Sequence, residues 1–142
     1  KMVEEQIMET ASYASFLQEL SEENSRRKQA MDRGEVIYGI QQYSEKNYYD
    51  YLFENRLIRL KERMGKEEFA ASDETLKQFY ETMKADYPFF KDEAGGYRGF
   101  EEVKGVVKSR YIDARYEEWL SFRIEQANVE IQQEAFEKLS VL

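Results

Sequence analysis

The chain has 142 residues, 42% hydrophobic and 15% aromatic, which is enough to close one core and too apolar for a disordered tail. Its net charge of −8 argues against nucleic acid as a partner, because a phosphate-binding surface needs clustered Lys and Arg. It contains neither Cys nor His, which excludes disulfides, thiolate nucleophiles, Cys-based zinc sites and any Ser-His-Asp or Cys-His arrangement within it.

A single proline and many Glu, Lys, Gln, Leu and Ala favour long helices, so the expectation is one mostly α domain over residues 1–142. The first helix is predicted from about Ser12 to Asp32. Tyr13, Phe16, Leu17 and Leu20 follow the i, i+3, i+4, i+7 rule for one buried face, and Gly34 ends the pattern. Residues 2–10 extend this helix or form a short one of their own, with Val3 and Ile7 as weak apolar contacts. Val36-Ile37-Tyr38, bounded by Gly34 and Gly39, is too short for a helix and reads as a strand. A lone strand leaves its backbone groups unpaired, and Asn128-Val129-Glu130-Ile131 is the plausible partner, so a small two-stranded sheet of 35–38 with 128–131 is predicted.

Ser44 is a good N-cap for a second helix over 45–64, stopped at Gly65. Tyr49, Phe53, Leu57, Leu60 and Met64 form its apolar stripe, widened by Tyr48, Tyr51 and Leu52. A third helix starts at the Ser72 cap and repeats Leu76, Phe79, Tyr80 and Met83, with Tyr87-Pro88 as its terminator. Residues 89–99 form a loop whose soft point is Gly95-Gly96, and a long fourth helix runs from Phe100 to about Ala127. That helix is apolar on two sides, and Gly105 within it is read as a point of close packing. Phe79 and Trp119 are expected to be buried, and residues 132–139 to add a last helical turn or two.

Chemistry is sought and mostly not found. Helical di-metal sites need Glu-x-x-His, which a chain without His cannot supply. No phosphate loop, dinucleotide fingerprint or calcium loop is present, and Gly95-Gly96-Tyr97-Arg98-Gly99 lacks the spacing and preceding strand of a phosphate cradle. Adjacent glutamates such as Glu101-Glu102 and Glu117-Glu118 point in different directions on a helix and lack the perturbing surroundings of a catalytic acid. The expectation is no enzyme, no cofactor and no metal. No run of about 18 apolar residues occurs, and a start at Lys1 reads as a trimmed or mature form.

Two features remain. The cluster Glu22-Glu23-Asn24-Ser25-Arg26-Arg27 reads either as surface ion pairing on a helix, or as Asn24 and Arg27 reaching neighbouring backbone to fix a helix crossing. The aromatic excess is core by default. Tyr48, Tyr51, Phe89, Phe90 and Tyr97 are the candidates for a client-binding groove or its rim, since tyrosine combines apolar contact with a polar edge.

The order of elements then becomes informative. Ser72-Asp73-Glu74-Thr75-Leu76-Lys77-Gln78-Phe79-Tyr80-Glu81, Phe100-Glu101-Glu102-Val103-Lys104 and Ala127-Asn128-Val129-Glu130-Ile131 follow the patterns SDEELKKYYE, FEEVK and AxVEI. Over roughly residues 36–131 the chain resembles the N-terminal chaperone domain of the SurA/PrsA-like peptidyl-prolyl isomerases and foldases. It departs from them between Met83 and Gly99, a connection far too short for the parvulin domain that the family inserts there.

The resemblance implies a helical, ATP-independent chaperone without isomerase activity, holding non-native or extended polypeptides. It also implies an extracytoplasmic setting, secreted or anchored by a segment absent from this chain. The alternative is a self-association module forming a homodimer within an envelope complex. An enzyme using only carboxylates, tyrosines or lysines would need a deep polar pocket with two acids.

Overall fold

The computed structural model describes residues 1–127, and these are mostly helical with no sheet among them. The chain divides into two compact units, Lys1–Ala70 and Ala71–Leu142. The first carries α1 (Tyr13–Asp32) and α2 (Glu45–Met64). The second carries α3 (Asp73–Met83), a 3-10 turn (Pro88–Phe90) and α4 (Phe100–Glu125).

In the first unit, helix boundaries follow local chemistry. The Ser12 hydroxyl accepts from the Ser15 amide at 3.1 Å, and the Ser44 hydroxyl accepts from the Asn47 amide at 3.3 Å. α1 ends in a Schellman motif. Gly34 takes φ 77°, its amide donates to Met31 at 2.9 Å, and the Glu35 amide donates to Ala30 at 2.9 Å. Residues 2–9 form turns, not the helix anticipated for them. Residues 35–38 form no strand, and Val36 and Tyr38 are 73% and 88% exposed. The partner proposed for them, 128–131, and the helical turns proposed at 132–139 lie outside the described residues.

The core of this unit is Leu20, Tyr43 and Tyr48, flanked by Phe16 and Leu52. A pair of polar side chains fastens it. Asn24 Nδ2 donates to the Tyr43 carbonyl at 3.0 Å, and the Tyr43 amide donates back to Asn24 Oδ1 at 2.8 Å. The Arg27 side chain donates to the Ile40 carbonyl at 2.6 Å and to Glu23 at 2.7 Å, and its guanidinium sits 4.7 Å above the Tyr43 ring. Surface pairing also occurs in the cluster, through Arg26 and Glu23 at 2.7 Å, but the long reach from α1 to 40–43 is what places the start of α2. This clamp favours burial of Tyr48. Tyr13, Leu17, Tyr49 and Phe53, expected on buried stripes, are exposed instead.

In the second unit, the Ser72 hydroxyl caps α3 by accepting from the Thr75 amide at 3.2 Å, and Asp73 and Glu74 complement the positive end of the helix. α3 stops at Met83, before Tyr87-Pro88, which opens the 3-10 turn instead. Leu76, Tyr80 and Met83 pack with Phe90, Val103 and Val107 into a tight core, in which Phe90 is 1% and Val107 0% exposed. Phe79 is only partly buried at its edge, and Trp119 is partly buried beside Tyr116.

The 89–99 loop is ordered: Lys91 and Tyr97 form an antiparallel bridge. Asp92 Oδ1 accepts from the amides of Ala94 at 2.9 Å and Gly96 at 2.8 Å. The Tyr80 hydroxyl donates to the Arg98 carbonyl, and Lys104 meets Asp73 at 2.5 Å across α3 and α4. Among the described residues nothing lies within 4 Å of where a Cβ on Gly105 would stand, so the close packing expected there is not seen among them.

Candidate functional site

α2 begins with five apolar residues in six positions, Tyr48, Tyr49, Tyr51, Leu52 and Phe53. Such a belt covers more of the helix circumference than one partner helix can bury. α1 takes Tyr48, and the belt's opposite edge stays open. There a cleft of about 540 Å³ forms between α1, α2 and the segment before α1. Its walls include Met2, Met8, Phe16, Tyr49, Leu52 and Phe53.

The geometry is that of an aromatic shelf. Tyr49 and Phe53, one turn apart, stack at 5.9 Å with 13° between their planes. Phe16 meets Tyr49 edge-on at 6.4 Å and Tyr13 face-on at 6.1 Å. Tyr13, Tyr49 and Phe53 are 66%, 57% and 45% exposed. The charged groups at the margins are already engaged. Glu45 accepts from the Tyr13 hydroxyl at 2.7 Å, Lys46 pairs with Asp50 at 2.8 Å, and Arg56 with Glu19 at 2.6 Å. The bond to Glu45 raises the Tyr13 phenol above its usual range. A cleft with largely apolar walls and paired margins suits apolar groups. Among the described residues no cluster of three acids is placed to hold a metal ion.

Two of the five residues singled out in the sequence are buried and three are exposed. Tyr48, 6% exposed, and Phe90, 1% exposed, are core residues of different units. Tyr51 lies on α2, exposed, with its ring 5.4 Å from Tyr43. Phe89 and Tyr97 flank the hairpin of the second unit. Arg98 covers Phe89 at 4.9 Å, and Lys84 approaches Tyr97 at 5.2 Å. The spacing of the cleft residues Tyr13, Tyr49 and Phe53 fits a buried stripe, yet all three are exposed. The width of the belt at 48–53 is the signal that could have found them.

No family model and no solved structure matches the chain. A curated relative from Bifidobacterium longum subsp. longum, named a chaperone for lacto-N-biosidase, is 27% identical over 122 residues. The alignment covers 83% of this chain but 41% of that protein, so the chain spans less than half the relative's length.

Proposed function

We propose that this chain is a chaperone module that holds apolar stretches of non-native or extended polypeptide without nucleotide and without catalysis. The observation that carries the reading is the cleft in the first unit, with solvent-facing Tyr13, Tyr49 and Phe53 beside Met2 and Met8. Exposed aromatic rings offer contact to varied apolar side chains, and a contiguous patch of them marks an interaction surface. The name of the Bifidobacterium relative supports the same class. The motif order at 72–81 and 100–104 supports a SurA/PrsA-like origin for it, with the connection over 83–99 leaving no room for an isomerase domain. On this reading the chain works outside the cytoplasm.

The test is aggregation of thermally unfolding citrate synthase with increasing amounts of the purified chain, beside a proline-isomerisation assay. Dose-dependent suppression without isomerisation is the expected result, and Phe53→Ala and Tyr49→Ala should weaken it. No suppression, together with a stable dimer in solution, would replace this reading with a self-association module.

A further inference from the structure

One wall of the cleft is the chain's own preceding segment, residues 1–11, and the way it is attached differs from the way the helices are attached. Met2 and Met8 face the aromatic shelf, whereas Glu4, Glu9, Thr10 and Ala11 are exposed. Between the two methionines the backbone is held in turns, with Gln6 at φ 55°, a left-handed conformation that an L side chain rarely adopts. The fastening is ionic and lies along α2 and just past its end. Lys1 Nζ meets Glu5 at 2.8 Å and Glu68 at 2.5 Å. Arg63 Nε meets Glu5 at 2.8 Å, and Arg63 Nη1 donates to the Glu5 carbonyl at 2.8 Å. Arg63 and Glu68 are substantially exposed whereas Lys1 and Glu5 are half-buried or more, so salt screens the ties chiefly through their Arg63 and Glu68 ends.

We infer that residues 1–11 are a displaceable stand-in for the client, and that the polypeptide replacing them is an apolar stretch carrying an acidic residue between its apolar anchors. This inference rests on the cleft being the client site. The stand-in shows what this face accepts: two unbranched apolar side chains in the cleft and, between them in sequence, a carboxylate on Arg63, which lies beyond the cleft walls nearer the end of α2. When the segment lifts, Phe16, Leu52 and the Arg63 guanidinium are all offered to the incomer. Because the release points are screened ion pairs, added salt strengthens apolar binding by weakening the competitor. A cleft that recruits clients by charge alone would show the opposite dependence.

Two probes test this on the full chain: Nile red, which is uncharged, and a fluorescein-labelled peptide with the sequence of residues 1–11. Glu5→Gln should raise Nile red binding several-fold and bind the peptide several-fold more tightly than the unaltered chain. Glu9→Gln makes the same change of charge in the same segment without touching a tie, and should leave both unchanged. Arg63→Gln should raise Nile red binding as Glu5→Gln does, yet lose the gain in peptide affinity. Added sodium chloride should raise Nile red binding to the unaltered chain and much less to Glu5→Gln, which keeps only the Lys1–Glu68 ion pair.

Equal binding by the unaltered chain and Glu5→Gln overturns the displaceable segment, and tight peptide binding by Arg63→Gln overturns the acidic preference. If the Nile red and peptide results hold while citrate synthase still aggregates, the chaperone reading fails and the segment's mobility stands. The reverse pattern sinks only the inference.

Discussion

The two units solve one problem, a pair of helices with more apolar surface than a pair can hide, in opposite ways. In the second unit Phe90 is folded under the hairpin, and cations lie against the exposed rings around it: Arg98 over Phe89, Arg110 over Tyr87 and Lys84 beside Tyr97. In the first unit, no described cation sits over Tyr13, Tyr49 or Phe53, and the small core of Leu20, Tyr43 and Tyr48 depends on polar fastening by Asn24 and Arg27. Covered aromatics contribute to stability, whereas uncovered ones held at a fixed shelf are available to another chain. The open apolar surface is therefore where to look for function.

The contrast predicts unequal costs for similar substitutions. Phe90→Ala empties a site that is 1% exposed and should destabilise the second unit by about 3–5 kcal/mol in chemical denaturation. Phe53→Ala, at 45% exposure, should cost about 0.5 kcal/mol or less while weakening suppression of aggregation. Comparable stability losses at the two positions would erase the distinction between covered core and open shelf.

The clamp comes next in size. Asn24→Ala leaves both the amide and the carbonyl of Tyr43 without their partners and should cost about 2 kcal/mol. Hydrogen exchange should rise at residues 40–44 first, and protection that stays level there would mean that the clamp is decoration. Ser72→Ala removes a cap from α3 and should cost about 1 kcal/mol, with the melting curve as the readout.

Much of this was legible from residue order. Ser44 and Ser72 announced two helix starts and Gly34 a stop, and a reach from Asn24 and Arg27 to backbone is one of two readings of their cluster, because caps and turns are decided by neighbours in sequence. What sequence could not settle is which side of a wide apolar belt meets the other helix. Tyr48 and Tyr49 are chemically identical, and only the long-range bonds from Asn24 and Arg27 to residues 40–43 turn α2 so that the first is 6% and the second 57% exposed. Likewise Phe90 looks like a loop aromatic until the bridge of Lys91 with Tyr97 folds it inward.

The smallest effect expected separates the units by pH. Glu5 is held below the ordinary glutamate value of 4.5, first by its bond to Lys1 and then by the Lys1 and Arg63 charges, against the cost of burial. Asp73 is held below 3.8, first by its bond to Lys104. For a carboxylate depressed in the folded state, the stabilisation is fully present above the unfolded value and is lost as pH falls through the folded one. Both ties therefore persist at neutral pH and loosen below about 4.5 for Glu5 and 3.8 for Asp73. Lys1 and Arg63 also face Glu68 and Glu67. Acidification should thus raise Nile red binding through the first unit, whereas loosening Asp73 from Lys104 uncovers no shelf in the second. Glu5→Gln should begin with high binding at neutral pH and show little further rise, while Asp73→Asn should titrate like the unaltered chain. An equal acid-induced rise in Glu5→Gln and the unaltered chain would place the opening in general acid unfolding, and the segment before α1 would lose its special part in it.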